Sequence, residues 1–292
     1  MLFRSLALDR ADGSETDVAV NRSWVDPGIP FAAAVARPAH GVVVTSATLT
    51  DGEPEPEVAW RAAEAATGLR HLPDSPAAAR IASPFDYPAQ TRILIVTDIP
   101  RDEMGQVAAA FAALMNAAHG GALGLFTAIA RLRAVHERIA PVLEANGLPL
   151  LAQHVDAMST ATLVDIFRAE EHSCLLGTDA VRDGVDVPGR SLRLIVFDRV
   201  PWPRPDILHR ARKAAWKEAG AGANAYDDML ARLRLKQAYG RLIRRADDRG
   251  VFVMLDSRLP SRLLGAFPPG VAVDRVGLAE AVAAVKAFLD PA

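Results

Sequence analysis

The sequence predicts an α/β fold, a parallel sheet with helices on both faces. Three observations carry this. Short runs that are apolar throughout recur along the chain, as in strands buried on both faces. A segment of helical periodicity follows nearly every run, and strand–helix alternation indicates a parallel sheet joined by crossover helices. The chain has 292 residues, 50% of them apolar, enough for a sizeable core in one large domain or two modest ones.

The elements follow in order. "GVVVTSA" (41–47) reads as a buried strand, and "PEVAWRAAEAATG" (56–68) as a helix with a glycine stop. "RILIVTDIP" (92–100) is a strand and "RDEMGQVAAAFAALMNAAHGG" (101–121) a helix ending at glycine. The strands "ALGLFT" (122–127) and "LPLLAQ" (148–153) flank the helix "AIARLRAVHERIAPVLEANG" (128–147). "TATLVDIFRAE" (160–170) is helical, and "SCLLGTD" (173–179), "LRLIVFD" (192–198) and "GVFVMLD" (250–256) complete the strands. Between the last two lie the helices "RPDILHRARKAAWKEAG" (204–220) and "AYDDMLARLRLKQAYGRLIRR" (225–245), and "GLAEAVAAVKAFL" (277–289) closes the chain. The stretch from about 50 to 80, rich in Pro, Ala and Gly, joins a short N-terminal piece to the main domain. In parallel sheets ligands bind beyond the carboxyl ends of strands. Here the runs end in Thr127, in Gly177-Thr178-Asp179, in Asp198 and in Asp256.

Composition excludes several classes. Cys174 is the sole cysteine, so no internal disulfide forms and no thiol set holds zinc or an iron–sulfur cluster. That suits a reducing, cytoplasmic setting. The N-terminus carries no signal-like apolar run. The uncharged stretch Met104–Ala130 is mostly alanine, interrupted by Gln106, Asn116 and His119-Gly120-Gly121, and reads as helix, turn and strand rather than a membrane span. Residues 182–249 carry sixteen Lys/Arg against nine Asp/Glu, a local +7, against −2 for the whole chain. The overall balance argues against a general nucleic-acid sponge, while the local one suits a phosphate-binding groove. The seven histidines are scattered and form no ligand set.

Three segments could carry chemistry. "VVVTSATLT" (42–50) runs a strand into Thr45, Ser46 and Thr48; alone, such a cluster is usually a strand end with local side-chain-to-backbone bonds. "LLGTDAVRDGVDVPG" (175–189) places Asp179, Asp183, Gly184 and Asp186 in a loop after Gly177, able to hold a ribose, a metal-bound water or an arginine, or simply to turn. In "KQAYGRLIRRADDRG" (236–250), Gln237, Gly240, Arg241 and Arg244 share one face of the helix, with Leu235, Ala238, Tyr239 and Leu242 on a core-facing arc. Clustered arginines repel, so this face suits an incoming anion, the alternative being pairing with Asp247 and Asp248.

In combination, "TSATL", "GTD…DGVDVPG" and "QAYGRLIRR" resemble the later motifs of superfamily 2 helicases, in detail the DinG-like branch related to the XPD helicases. "IASPFDYPAQTRILIVTDIP" (81–100), "LGLFTA" (123–128) and "VPGRSLRLIVFDRVPWPRPDILHRAR" (187–212) extend the match over roughly residues 15–260. The resemblance implies a RecA-like second helicase domain at 81–292, a linker at 61–80, and the tail end of the first helicase domain at 1–60. It implies ATP with Mg2+ sandwiched between two such domains. Arg241, Arg244 and Gln237 then act on the γ-phosphate; Asp183, Gly184, Asp186 and Gly240 lie by the nucleotide. Thr45, Ser46 and Thr48 couple hydrolysis to movement. Phe126, Thr127, Gly177 and Thr178 lie along single-stranded DNA. The chain departs from the family where an aromatic-Trp-Glu sequence is replaced by Val181-Arg182-Asp183, which puts the role of Asp183 in doubt. It contains no GxxxxGK[ST] phosphate loop, no DEAH-type box and none of the family's four cluster cysteines. The reading is therefore the C-terminal portion of an ATP-dependent DNA helicase, inactive alone and partnered by an N-terminal helicase domain in cis or in trans. A non-catalytic nucleic-acid-binding or interaction module that keeps the fold is the alternative.

Overall fold

The computed structural model describes residues 2–11, 14–179, 181 and 186–290. The chain divides into two units, residues 1–81 with 202–231, and residues 82–201 with 232–292. Among the described residues no helix is long and apolar enough to cross a membrane.

The first unit opens with an antiparallel hairpin, β1 (Leu2–Ala11) and β2 (Ser14–Trp24), in which Leu6 faces Val20 and Leu8 faces Val18. The helix Pro56–Thr67 starts with proline in its first turn and stops at Gly68, whose φ of 78° only glycine adopts without strain. The buried strand expected at 41–47 is absent. Residues 41–46 take no regular structure, and Val43 is 91% exposed. An apolar run becomes a strand only against a ladder partner, and in this unit the only ladder among the described residues is the hairpin.

The second unit is a seven-stranded, all-parallel sheet in the order β5-β6-β4-β7-β8-β3-β9. Its strands are β3 (Thr91–Val96), β4 (Ala122–Leu125), β5 (Leu150–Ala152), β6 (Cys174–Gly177), β7 (Leu194–Phe197), β8 (Gly250–Met254) and β9 (Val273–Val276). All but β9 follow the expected runs. "VDRV" of β9 alternates and pairs only with β3, as an edge strand does. Alternation sorts the buried residues. Val251, Val253 and Leu255 join the cluster beneath helices Met104–Ala117, Ile129–Ala145 and Leu278–Leu289. Phe252 packs with Phe197 and Phe267 at ring separations of 5.4 and 5.1 Å. Each such side chain contributes roughly 1.5–3 kcal/mol by burial.

The amino end of β7 is pinned by Arg193, which is 4% exposed. Its guanidinium donates to the carbonyls of Ala118 (2.8 Å), Glu171 (3.0 Å), His119 (2.6 Å) and Arg190. Burial lowers its pKa, though an arginine stays charged. Gly121, with φ 56°, makes room for this head group. Cys174 lies in β6, where burial pushes its thiol up to about 12, so it is an inert core residue.

Candidate functional site

Two constellations lie at opposite ends of the second unit's sheet. At the carboxyl ends, neighbouring strands are stitched together. Asp198 N–H donates to the Leu125 carbonyl, Phe126 N–H to Gly177, and Gln153 N–H to Leu176. The backbone N–H and the hydroxyl of Thr178 both donate to Gln153 Oε1, at 3.0 and 2.8 Å. Gln153 is 6% exposed, and nothing local in its sequence marks it as the residue that orients Thr178. Thr127 and Thr178 follow β4 and β6, adjacent strands in register. This brings the two expected contact segments together.

Several side chains at this end are already used within the protein. Phe126 is 2% exposed as a whole residue and stacks on Phe111 at 4.9 Å, so its ring belongs to the core, and its N–H is used by the Gly177 carbonyl. Gly177 is glycine for a packing reason: a Cβ would sit 2.5 Å from Val181. Asp198 is held bidentately by Arg131 at 2.6 Å, and this hydrogen bonding raises the arginine's pKa. Asp256 accepts from the N–H groups of Val200 and Arg258 and so caps loops.

The arginine segment lies at the other end, before β8, and differs from the expected helix face. The helix Ala225–Tyr239 stops at Tyr239. Gly240 N–H still reaches the Lys236 carbonyl, but Arg241 and Leu242 N–H reach only three residues back, to Ala238 and Tyr239. The chain then turns. Leu242 and Ile243 are 1% and 4% exposed, which anchors the turn and leaves Arg244 and Arg245 outside. Leu235, Ala238, Tyr239 and Leu242 are buried as their arc requires, but Gln237, Gly240, Arg241 and Arg244 do not form one helical face. Arg244 and Arg245 N–H both donate to Asp248 Oδ2, at 2.7 and 2.8 Å. Asp248 therefore binds the backbone of this turn rather than an arginine head group.

The structure brings Asp186 to this turn: Arg244 Nε lies 3.4 Å from its Oδ1, both side chains being exposed. The Asp186 carbonyl also accepts from Arg168 Nε at 3.1 Å. Asp183 and Gly184, between Thr178 and Asp186, lie outside the described residues. Thr45, Ser46 and Thr48 are in the first unit. Ser46 Oγ accepts from Thr48 N–H at 3.1 Å and lies 3.2 Å from the Thr48 hydroxyl, a local turn in an exposed segment.

The family described as "Helicase C-terminal domain" matches residues 111–269. The chain is 37% identical over 233 residues to "ATP-dependent helicase DinG" of Mycobacterium tuberculosis, covering 77% of this chain and 33% of that protein. It is 31% identical over 260 residues to "3'-5' exonuclease DinG" of Bacillus subtilis, covering 85% and 27%. The chain thus spans about a third of the length of these curated relatives. Among solved structures, S. cerevisiae Dbp5 bound to RNA and ADP BeF3 matches with a TM-score of 0.51 at 13% identity, over 81% of this chain and 53% of that one. That likeness concerns the RecA-like helicase fold alone.

Proposed function

The chain belongs to the helicase C-terminal domain family, in its DinG-like branch, and from that membership we propose that it supplies arginines to an ATP held by a separate phosphate-loop domain and part of a groove for single-stranded DNA. The observation that carries the reading is the turn after Tyr239. It presents exposed arginine, fixed by main-chain bonds, beside Asp186, in a sequence with no phosphate loop of its own.

In this reading Arg241 and Arg244 stabilise charge developing on the γ-phosphate. Gln237 and Gly240 shape the approach to the turn, and Asp183, Gly184 and Asp186 border the nucleotide. Mg2+ would arrive with the phosphates and be held by carboxylates of the other domain. Residues 1–60 are the tail of that first domain, 61–80 a linker and 81–292 the second domain. The partner domain is supplied in cis in a longer chain or in trans. Thr45, Ser46 and Thr48 couple hydrolysis to strand movement. Thr127 and Thr178, which directly follow the buried Phe126 and Gly177, lie along the DNA backbone.

Half a groove binds weakly. The chain should bind single-stranded DNA at micromolar or weaker affinity, with log K falling against log salt by about 0.7 per phosphate contact. Fluorescence anisotropy across a salt series measures this, and Thr127→Val should weaken binding. Nanomolar or salt-independent binding would count against the proposed groove.

A further inference from the structure

We infer that Gln90 is a positioning residue for the arginine turn, an inference that rests on the nucleotide-facing reading of that turn. Gln90 ends the short helix Tyr87–Gln90, immediately before β3, and is 8% exposed. Its Nε2 faces three carbonyl oxygens of the turn: Arg245 at 3.3 Å, Ala246 at 3.0 Å and Asp248 at 3.0 Å. A primary amide nitrogen carries two hydrogens, enough for the two nearer carbonyls, Ala246 and Asp248; the Arg245 carbonyl, at the longer distance, also accepts from Asp248 N–H at 3.3 Å.

The next residue holds the turn's other end. Thr91 Oγ1 lies 2.6 Å from the buried Tyr239 hydroxyl, at the point where the helix stops. Burial pushes that phenol's pKa up, so it stays a neutral hydroxyl. Gln90 and Thr91 thus grip both ends of the segment that carries Arg241 and Arg244. Asp248 closes it from within through the Arg244 and Arg245 N–H groups. Gln90 touches no arginine head group; it fixes the backbone that directly follows Arg244. Phosphoryl transfer depends on such placement, because a displacement of about 1 Å at a catalytic group costs roughly 10²-fold in rate.

The discriminating substitution is Gln90→Glu. It keeps the shape but replaces the donor with an acceptor facing three carbonyls. In the full chain complemented with a phosphate-loop domain, Gln90→Glu should lower kcat roughly 10²-fold with little change in KM. In an Arg244→Ala background it should lower kcat hardly further, because the residue it positions is gone. General destabilisation would instead add in both backgrounds. Hydrogen exchange on the isolated chain should show faster exchange at the Arg244 and Arg245 amides in the variant. Normal kcat in Gln90→Glu, while Arg244→Ala cripples turnover, overturns this inference alone; normal kcat in Arg244→Ala overturns the nucleotide-facing reading and this inference with it.

Discussion

Arg244→Ala and Arg241→Ala should each cut kcat by about 10³-fold or more once this chain is paired with a phosphate-loop domain. Arginines supplied to a transferring phosphoryl group contribute roughly 10³–10⁵ in rate in related chemistry. The folded state should lose little from Arg244→Ala. Its one described ion pair, with Asp186 at 3.4 Å, joins side chains 37% and 72% exposed, and exposed pairs contribute about 1 kcal/mol at most. The bond from Arg244 to Asp248 uses the backbone N–H and survives truncation. Arg138 is a suitable control: it is exposed on the helix Ile129–Ala145, where NH1 bonds the Ala134 carbonyl. Steady-state ATPase rates with thermal melts check the set. A normal kcat for Arg244→Ala and Arg241→Ala, or an equal loss for Arg138→Ala, would remove the assigned role.

Arg193→Ala should be the most damaging single change to the fold itself. It strips donors from the carbonyls of Ala118, His119, Glu171 and Arg190 at a site 4% exposed. A buried acceptor left unmatched costs about 1–3 kcal/mol, and bonds from a charged donor lie at the upper end. The total should reach roughly 3–5 kcal/mol after partial rehydration, a large share of a typical domain's 5–15. Arg193→Lys should recover only part, since an ammonium is a point charge and cannot span carbonyls placed for a fork. Urea unfolding measures both. A loss below about 1 kcal/mol for Arg193→Ala would mean that water replaces the guanidinium at no cost.

Local pattern made most of the sheet legible. Six of its seven strands are apolar runs, and the stop at Gly68 is a glycine signal that the backbone honours. What stayed hidden was set by distant partners. The pattern through "AYGRLIRR" remains helical in period, yet adjacent Leu242 and Ile243 are both buried where the chain turns after Tyr239, and the turn that follows is bonded by Gln90, some 155 residues away in sequence. "GVVVTSA" has the composition of a strand but no ladder to join. The hairpin β1–β2 had a readable mark, the Asp12-Gly13 dipeptide between two alternating runs. The candidate site was read as motifs, and its geometry was not legible in the sequence. Phe126 stands beside Thr127 in sequence and inside the core in space, and Gln153 reaches Thr178 across 25 residues.

The most direct test measures DNA-stimulated ATP hydrolysis by the purified chain, by a phosphate-loop domain, and by the two together. Neither alone should turn over ATP at a helicase-like rate: the chain has no phosphate loop to position the triphosphate, and the phosphate-loop domain lacks the arginines. The pair should hydrolyse ATP with single-stranded DNA, and Arg244→Ala in this chain should abolish the gain. DNA-stimulated turnover by the isolated chain, or a pair whose activity is indifferent to Arg244, would contradict a role as the arginine-supplying half of a helicase.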